Sequence, residues 1–210
     1  MYYGEEHKLR KRNFLSLKKS QASDIAILAI FIAIMIVIQL LSQIVYSVWP
    51  FPIKPTLLHI PVIIGSILLG WKKGAFLGLV MGLISFINAT LVTSPSSFMF
   101  SPLQPLPNSH NGSLAALLIA FVPRILIGIF PYFVYKALSN HIGAGLAGFV
   151  GTATNTILVL GGIYLAFHSV LNETFGIFLA GIITTNSLAE VIIAIVLTAA
   201  IIPRLEKRRR

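Results

Sequence analysis

The run IAILAIFIAIMIVIQLL, from Ile25 to Leu41, holds no charge and a single amide, Gln39, and it follows a tail carrying Lys8, Arg10, Lys11, Arg12, Lys18 and Lys19. An apolar run of this length exceeds the ~7–15 residues of a signal-peptide core, and no A-x-A-type cleavage site follows it. The reading is a retained transmembrane helix behind a basic tail. The rest of the chain agrees, because only 10% of its 210 residues are charged, 56% are hydrophobic and the mean hydropathy is +0.88. A soluble domain carries about a quarter charged residues, so this chain has too little polar surface to cover a water-soluble globule.

The formal net charge of +10 does not point to nucleic acid, since the basic residues cluster at the two ends and in short loops. That distribution orients helices in a bilayer. With no cysteine there is no disulfide framework, thiolate metal site or cysteine nucleophile.

Working outward from the first run, Pro, Gly, Asn and charged residues divide the remainder into apolar stretches. Six segments result, at 24–46, 57–70, 73–93, 114–137, 143–167 and 177–202, framed by basic tails at 1–23 and 204–210 around a helical membrane unit at 24–203. The second segment is short for a span of ~20 residues, which predicts that it is tilted, shielded by neighbours or not fully transmembrane. Under this six-helix, all-α arrangement, 14 of the 16 basic residues fall on one side, Lys54 falls on the other, and Arg124 lies within a segment. Both termini are therefore expected on the cytoplasmic side.

The loops on the two sides differ. The inner connections at Trp71-Lys72-Lys73 and Ser139-Asn140-His141-Ile142 read as tight turns, whereas Ser94 to Ser113 is long and holds Pro95, Pro102, Pro105 and Pro107. With Phe98, Phe100, Gln104, Asn108, His110 and Asn111, that loop reads as a lid or binding loop rather than a spacer. The other outer loop, with Trp49, Phe51, Lys54 and three prolines between Trp49 and Pro55, reads either as an interfacial anchor or as the cap of a pocket.

Small residues four apart mark close helix approach. Gly70, Gly74, Gly78 and Gly82 form successive GxxxG steps, Gly143, Ala147 and Gly151 repeat the spacing, and the first helix carries Ala22, Ala26, Ala29 and Ala33. The alanines can face lipid or a partner protein. Polar groups inside apolar helices carry more information, because a charge there costs about 2.5–3.5 kcal/mol on the insertion scale unless paired or hydrated. They are Arg124, Asn155, Asn186 and Glu190, with Thr152, Thr184 and Thr185 nearby. At ~1.5 Å per residue Arg124 and Asn155 fall roughly 15 and 18 Å from their helix ends, near mid-membrane. Two readings stand: an Arg124–Glu190 ion pair, or a pocket in which Arg124 offers its planar fork to a carboxylate while Asn155 and Asn186 bond amide or hydroxyl groups. His59 follows the first outer loop and reads as a vestibule residue.

Enzyme motifs are missing. There is no G-x-S-x-G and no HExxH, and Glu173 and Glu190 are the only acids between Asp24 and Glu206. The stretch Gly65-Ser66-Ile67-Leu68-Leu69-Gly70-Trp71-Lys72 has Trp where a P-loop requires Lys. No metal site and no cofactor are expected. Paired repeats of the kind that mark secondary carriers are not evident.

Several features together resemble a known family: six segments, the AxxxA pairs, His59-Ile60-Pro61-Val62-Ile63-Ile64-Gly65 leading into Gly70-Trp71-Lys72-Lys73-Gly74-Ala75-Phe76-Leu77-Gly78, and Pro123-Arg124-Ile125-Leu126-Ile127-Gly128. They look like the substrate-binding S components of energy-coupling factor (ECF) vitamin transporters, from about Ser23 to Pro203. Resemblance to this family implies a bacterial multi-pass cell-membrane protein that captures a vitamin and works with a transmembrane coupling subunit and two cytoplasmic ATPases. It further implies that Ala22, Ala26, Ala29 and Ala33 dock the coupling subunit and that the outer loops close over substrate.

The stretches Ser97-Phe98-Met99-Phe100-Ser101-Pro102 and Asn108-Ser109-His110-Asn111-Gly112-Ser113 are similar to pantothenate-specific members. Folate, pyridoxine or hydroxymethylpyrimidine, and riboflavin remain as alternative cargoes, and a stand-alone carrier or membrane enzyme remains as the alternative class. The candidate substrate-binding set is Lys54, His59, Phe100, Asn108, Asn111, Arg124, Asn155, Asn186 and Glu190.

Overall fold

The computed structural model describes residues 2–48, 57–94, 96–107, 109–170 and 187–209, and the side chains of 2–21, 46, 206, 208 and 209 are not among those described. Regular structure among the described residues is helical. The elements are α1 (Tyr2–Val48), α2 (His59–Leu69), α3 (Trp71–Leu91), a 3₁₀ turn at Ser97–Met99, α4 (Ala115–Ile127), α5 (Phe130–Leu138), α6 (His141–Phe167) and α7 (Leu188–Arg209). Among the described residues, five helical stretches are long and apolar enough to cross a membrane: Ala22–Val45, Trp71–Leu91, Ala115–Leu138, His141–Phe167 and Leu188–Leu205.

The short second segment is α2, and its neighbours explain its length. Of its 11 residues, the nine from His59 to Ile67 are buried. It touches α1, α3, α4, α5, α6 and α7. Neighbouring helices rather than lipid enclose α2, so it forms the axis of the bundle and its length need not match the bilayer. Val62 and Ile63 meet Met35 of α1, Leu77 of α3, Ile127 of α4, Ala147 of α6 and Ala194 of α7 in one core cluster. Large apolar residues left exposed, such as Ile30, Leu83, Leu118, Phe133, Leu165 and Ile192, form the outer surface that hydrocarbon covers in a bilayer.

Two of the differences from the sequence reading bear on how the helices pack. The turn expected at Trp71-Lys72-Lys73 lies one step earlier at Gly70, whose φ of 91° is open to glycine and strained for other residues. Trp71 therefore starts α3, and Lys73 pairs from the first turn of α3 with Asp24 of α1. The segment expected as one helix over 114–137 is two, α4 and α5, with a turn at Gly128 and Ile129. Pro131 at the start of α5 has no N–H to give back along the chain, and Gly128 turns its amide to Arg124 and Ile125. The freed Gly128 carbonyl accepts a bond of 2.7 Å from Ser66 Oγ, which anchors the break to the buried α2.

The GxxxG steps do what their spacing implies. A Cβ at Gly78 would collide with the Arg124 carbonyl and with Ile125, and Gly74 and Gly128 face each other backbone to backbone. Glycine at these positions lets α3 and α4 approach closely enough to fix the height of Arg124 in the bundle.

Candidate binding cavity

A cavity of about 610 Å3 opens between α1 and α3 on one side and α6 and α7 on the other, under the 92–114 loop. Its size lies within the ~300–1,000 Å3 that small-molecule sites occupy. Four of the residues singled out from sequence, Phe100, Arg124, Asn155 and Glu190, line it together. They come from the loop, α4, α6 and α7, so no local stretch of chain carries the site.

Arg124 is the most constrained of the four. Pro123 lies inside α4 and offers no N–H to the carbonyl of Ile119, four residues earlier. The Nη1 of Arg124 donates to that carbonyl instead. The guanidinium also stacks over Phe100, with Cζ 5.0 Å from the ring centroid. These two contacts hold the fork at the cavity edge, with Arg124 7% exposed. Its Nε is buried without a hydrogen-bond partner among the described residues, as is Oδ1 of Asn155. A buried donor and a buried acceptor left open on one cavity cost about 1–3 kcal/mol each unless something that enters the cavity fills them.

Glu190, 7% exposed, brings an acid to the same space from the first turn of α7. Arg124 is engaged by the Ile119 carbonyl and the Phe100 ring. Thr152, by contrast, turns its hydroxyl to its own helix at Gly148, 3.0 Å away.

The 92–114 loop is built as a cap. Phe98 and Met99 are buried against Ile119, Ile163 and Phe167, and Phe98 meets Phe167 edge-on at 5.4 Å. Ser97 Oγ donates to the carbonyl of Val92, Ser101 and Thr90 share a bond of 2.8 Å, and Gln104 donates to the Thr90 carbonyl. Ser97 and Phe100 thereby face the cavity from fixed positions.

The remaining sequence candidates part company with this set. His59 is fully buried in α2 and is not among the cavity-lining residues. Asn111 is exposed on the loop, where its carbonyl accepts from Leu106. Lys54, Asn108 and Asn186 lie outside the described residues. Ala22, Ala26, Ala29 and Ala33 are all exposed on α1.

The sequence reading missed a further set of polar lining residues. Gln39, Ser42, Gln43 and Ser47 of α1 and Ser85 and Asn88 of α3 line the cavity, and Gln43 Nε2 donates to Asn88 Oδ1 across the two helices. Positions 39, 42, 43 and 47 share one helix face, so a polar stripe on an apolar helix was the available signal.

A multi-helix membrane protein whose largely apolar cavity carries a few converging polar groups has the makings of a small-molecule site. Residues 23–202 match the ECF transporter, substrate-specific component family, and the chain belongs to that family. It is similar to the pantothenic acid transporter PanT of Lactococcus lactis subsp. cremoris, 65% identical over 193 residues that cover 92% of this chain and 98% of the relative. It is also similar to the pantothenate transporter PanT of Leuconostoc mesenteroides subsp. mesenteroides, 29% identical over 167 residues, 70% of this chain and 73% of the relative.

Proposed function

We propose that this chain captures pantothenate from outside a bacterial cell and delivers it inward as the substrate-specific subunit of an ECF transporter. The observation that carries the reading is the convergence of Arg124, Asn155 and Phe100 on one capped cavity. Pantothenate presents a carboxylate at one end, an amide in the middle and two hydroxyls at the other end. The Arg124 fork suits the carboxylate, and the open Nε of Arg124 and Oδ1 of Asn155 offer a donor and an acceptor to a bound molecule. The names of the two relatives point to the same cargo.

Energy comes from partners in this reading. Membership of the family supports a transmembrane coupling subunit and two cytoplasmic ATPases, and the chain carries no P-loop of its own. The exposed Ala22, Ala26, Ala29 and Ala33 are the proposed docking face, since small side chains let a partner helix approach closely. The basic residues in the tails support both termini on the cytoplasmic side of the plasma membrane. Lys54, Asn108, Asn111 and Asn186 remain proposed contacts.

The test is equilibrium binding of radiolabelled pantothenate to the purified protein, challenged with unlabelled folate, pyridoxine and riboflavin. Displacement by unlabelled pantothenate alone supports the reading. No specific binding of the label, or its displacement by pyridoxine, folate or riboflavin as readily as by pantothenate, would overturn it.

A further inference from the structure

Within the cavity lining, α1 and α3 are joined by two side-chain amides. Gln43 donates through Nε2 to Oδ1 of Asn88, and both residues line the cavity. Each primary amide has one carbonyl oxygen and one NH2, so a single bond between two of them leaves one carbonyl and one NH2 unused. The leftover set is the same whichever amide donates and however the two are oriented. Neither residue's side chain makes another hydrogen bond among the described residues. The pair therefore presents an acceptor and a donor side by side to the interior.

An adjoining acceptor and donor match a group that both donates and accepts at one atom, which is a hydroxyl. A carboxylate is acceptor only and would meet the Gln43 carbonyl unfavourably. Ser42 and Ser85 flank the pair on the same two helices and extend the neutral hydrogen-bonding surface. The cavity lining thus includes both charged groups, Arg124 and Glu190, and the neutral amides Gln43 and Asn88.

We infer that Gln43 and Asn88 form a hydroxyl-reading pair that selects the cargo by its neutral end, a role that rests on the pantothenate reading above. The pair holds one hydroxyl of the dihydroxy end in a donor-plus-acceptor grip while Arg124 holds the carboxylate. A site built to bond a hydroxyl rejects the analogue that lacks it, because a bound analogue covers the pair's polar groups without filling them.

The experiment compares binding of pantothenate with that of its two monodeoxy analogues, each missing one hydroxyl, to the unsubstituted protein and to Gln43→Leu and Asn88→Leu. The unsubstituted protein should prefer pantothenate over at least one analogue by about tenfold, the scale of one well-made hydrogen bond with its unfilled partners. Each substitution should reduce that preference to about twofold or less, chiefly by weakening pantothenate. The preference is a ratio taken on one preparation, so partial loss of folded protein does not affect it. A preference that both variants keep overturns the inference, as does an unsubstituted protein that binds all three compounds equally. Failure of the unsubstituted protein to bind pantothenate at all overturns the functional reading, and the inference with it.

Discussion

Arg124 donates through Nη1 to the carbonyl of Ile119, the oxygen that Pro123 leaves without its helical donor. The Pro-Arg dipeptide is therefore a self-completing unit: one residue opens a backbone acceptor inside the membrane and the next closes it with a side chain. The bond costs Arg124 one of its five donors and fixes the direction of the rest.

This relationship predicts coupling between neighbours in sequence. Pro123→Ala restores an N–H to Ile119 and makes the Arg124 bond redundant. Arg124→Ala should then destabilise the Pro123→Ala protein by about 1 kcal/mol less than it destabilises the unsubstituted protein. Thermal unfolding of the four proteins in one detergent checks this, and strictly additive losses would remove the backbone role of Arg124.

Gly78 lies against the Arg124 carbonyl, with no room for a side chain. Gly78→Ala should force α3 and α4 apart, cost about 1–3 kcal/mol of stability and weaken ligand binding by displacing Arg124. Gly161, where an added Cβ meets nothing within 4 Å, serves as the control in the same melting and binding measurements. Equal effects at the two positions would contradict the close-packing account.

Ala26 and Ala29 are exposed on a helix whose apolar span is only 6% buried. Ala26→Trp or Ala29→Trp should leave pantothenate binding to the isolated protein intact and abolish recovery with the coupling subunit, because a bulky side chain keeps the partner helix at a distance. Binding and pull-down are measured on the same variant. Lost binding with normal assembly would reverse the assignment of that face.

How much of this was legible in the sequence follows from what a membrane makes costly. Apolar runs and the segregation of Lys and Arg marked the helical membrane class, and Arg124, Asn155 and Glu190 stood out because a polar group within a span is expensive. Gln43 and Asn88 did not stand out, since an uncharged amide near the end of a long apolar run barely perturbs its hydropathy. His59 was assigned to the vestibule from its place beside the Pro-rich loop, but proximity along the chain does not say which way a side chain turns, and α2 is buried all round. The break at Gly128 and Ile129 was written in Pro131, yet only the Ser66 bond to the Gly128 carbonyl explains why it is tolerated.

The central claim is that Arg124 receives the carboxylate of the cargo. Its most direct measurement is the affinity of the unsubstituted protein and of Arg124→Lys for pantothenate and for its alcohol analogue, in which the carboxylate is a hydroxymethyl group. The account predicts that Lys, which keeps the charge but not the planar fork, weakens pantothenate by about tenfold or more. It also predicts that the alcohol binds the unsubstituted protein poorly and loses little further on substitution. Equal losses for the two compounds would contradict the claim and leave Arg124 with its backbone role alone.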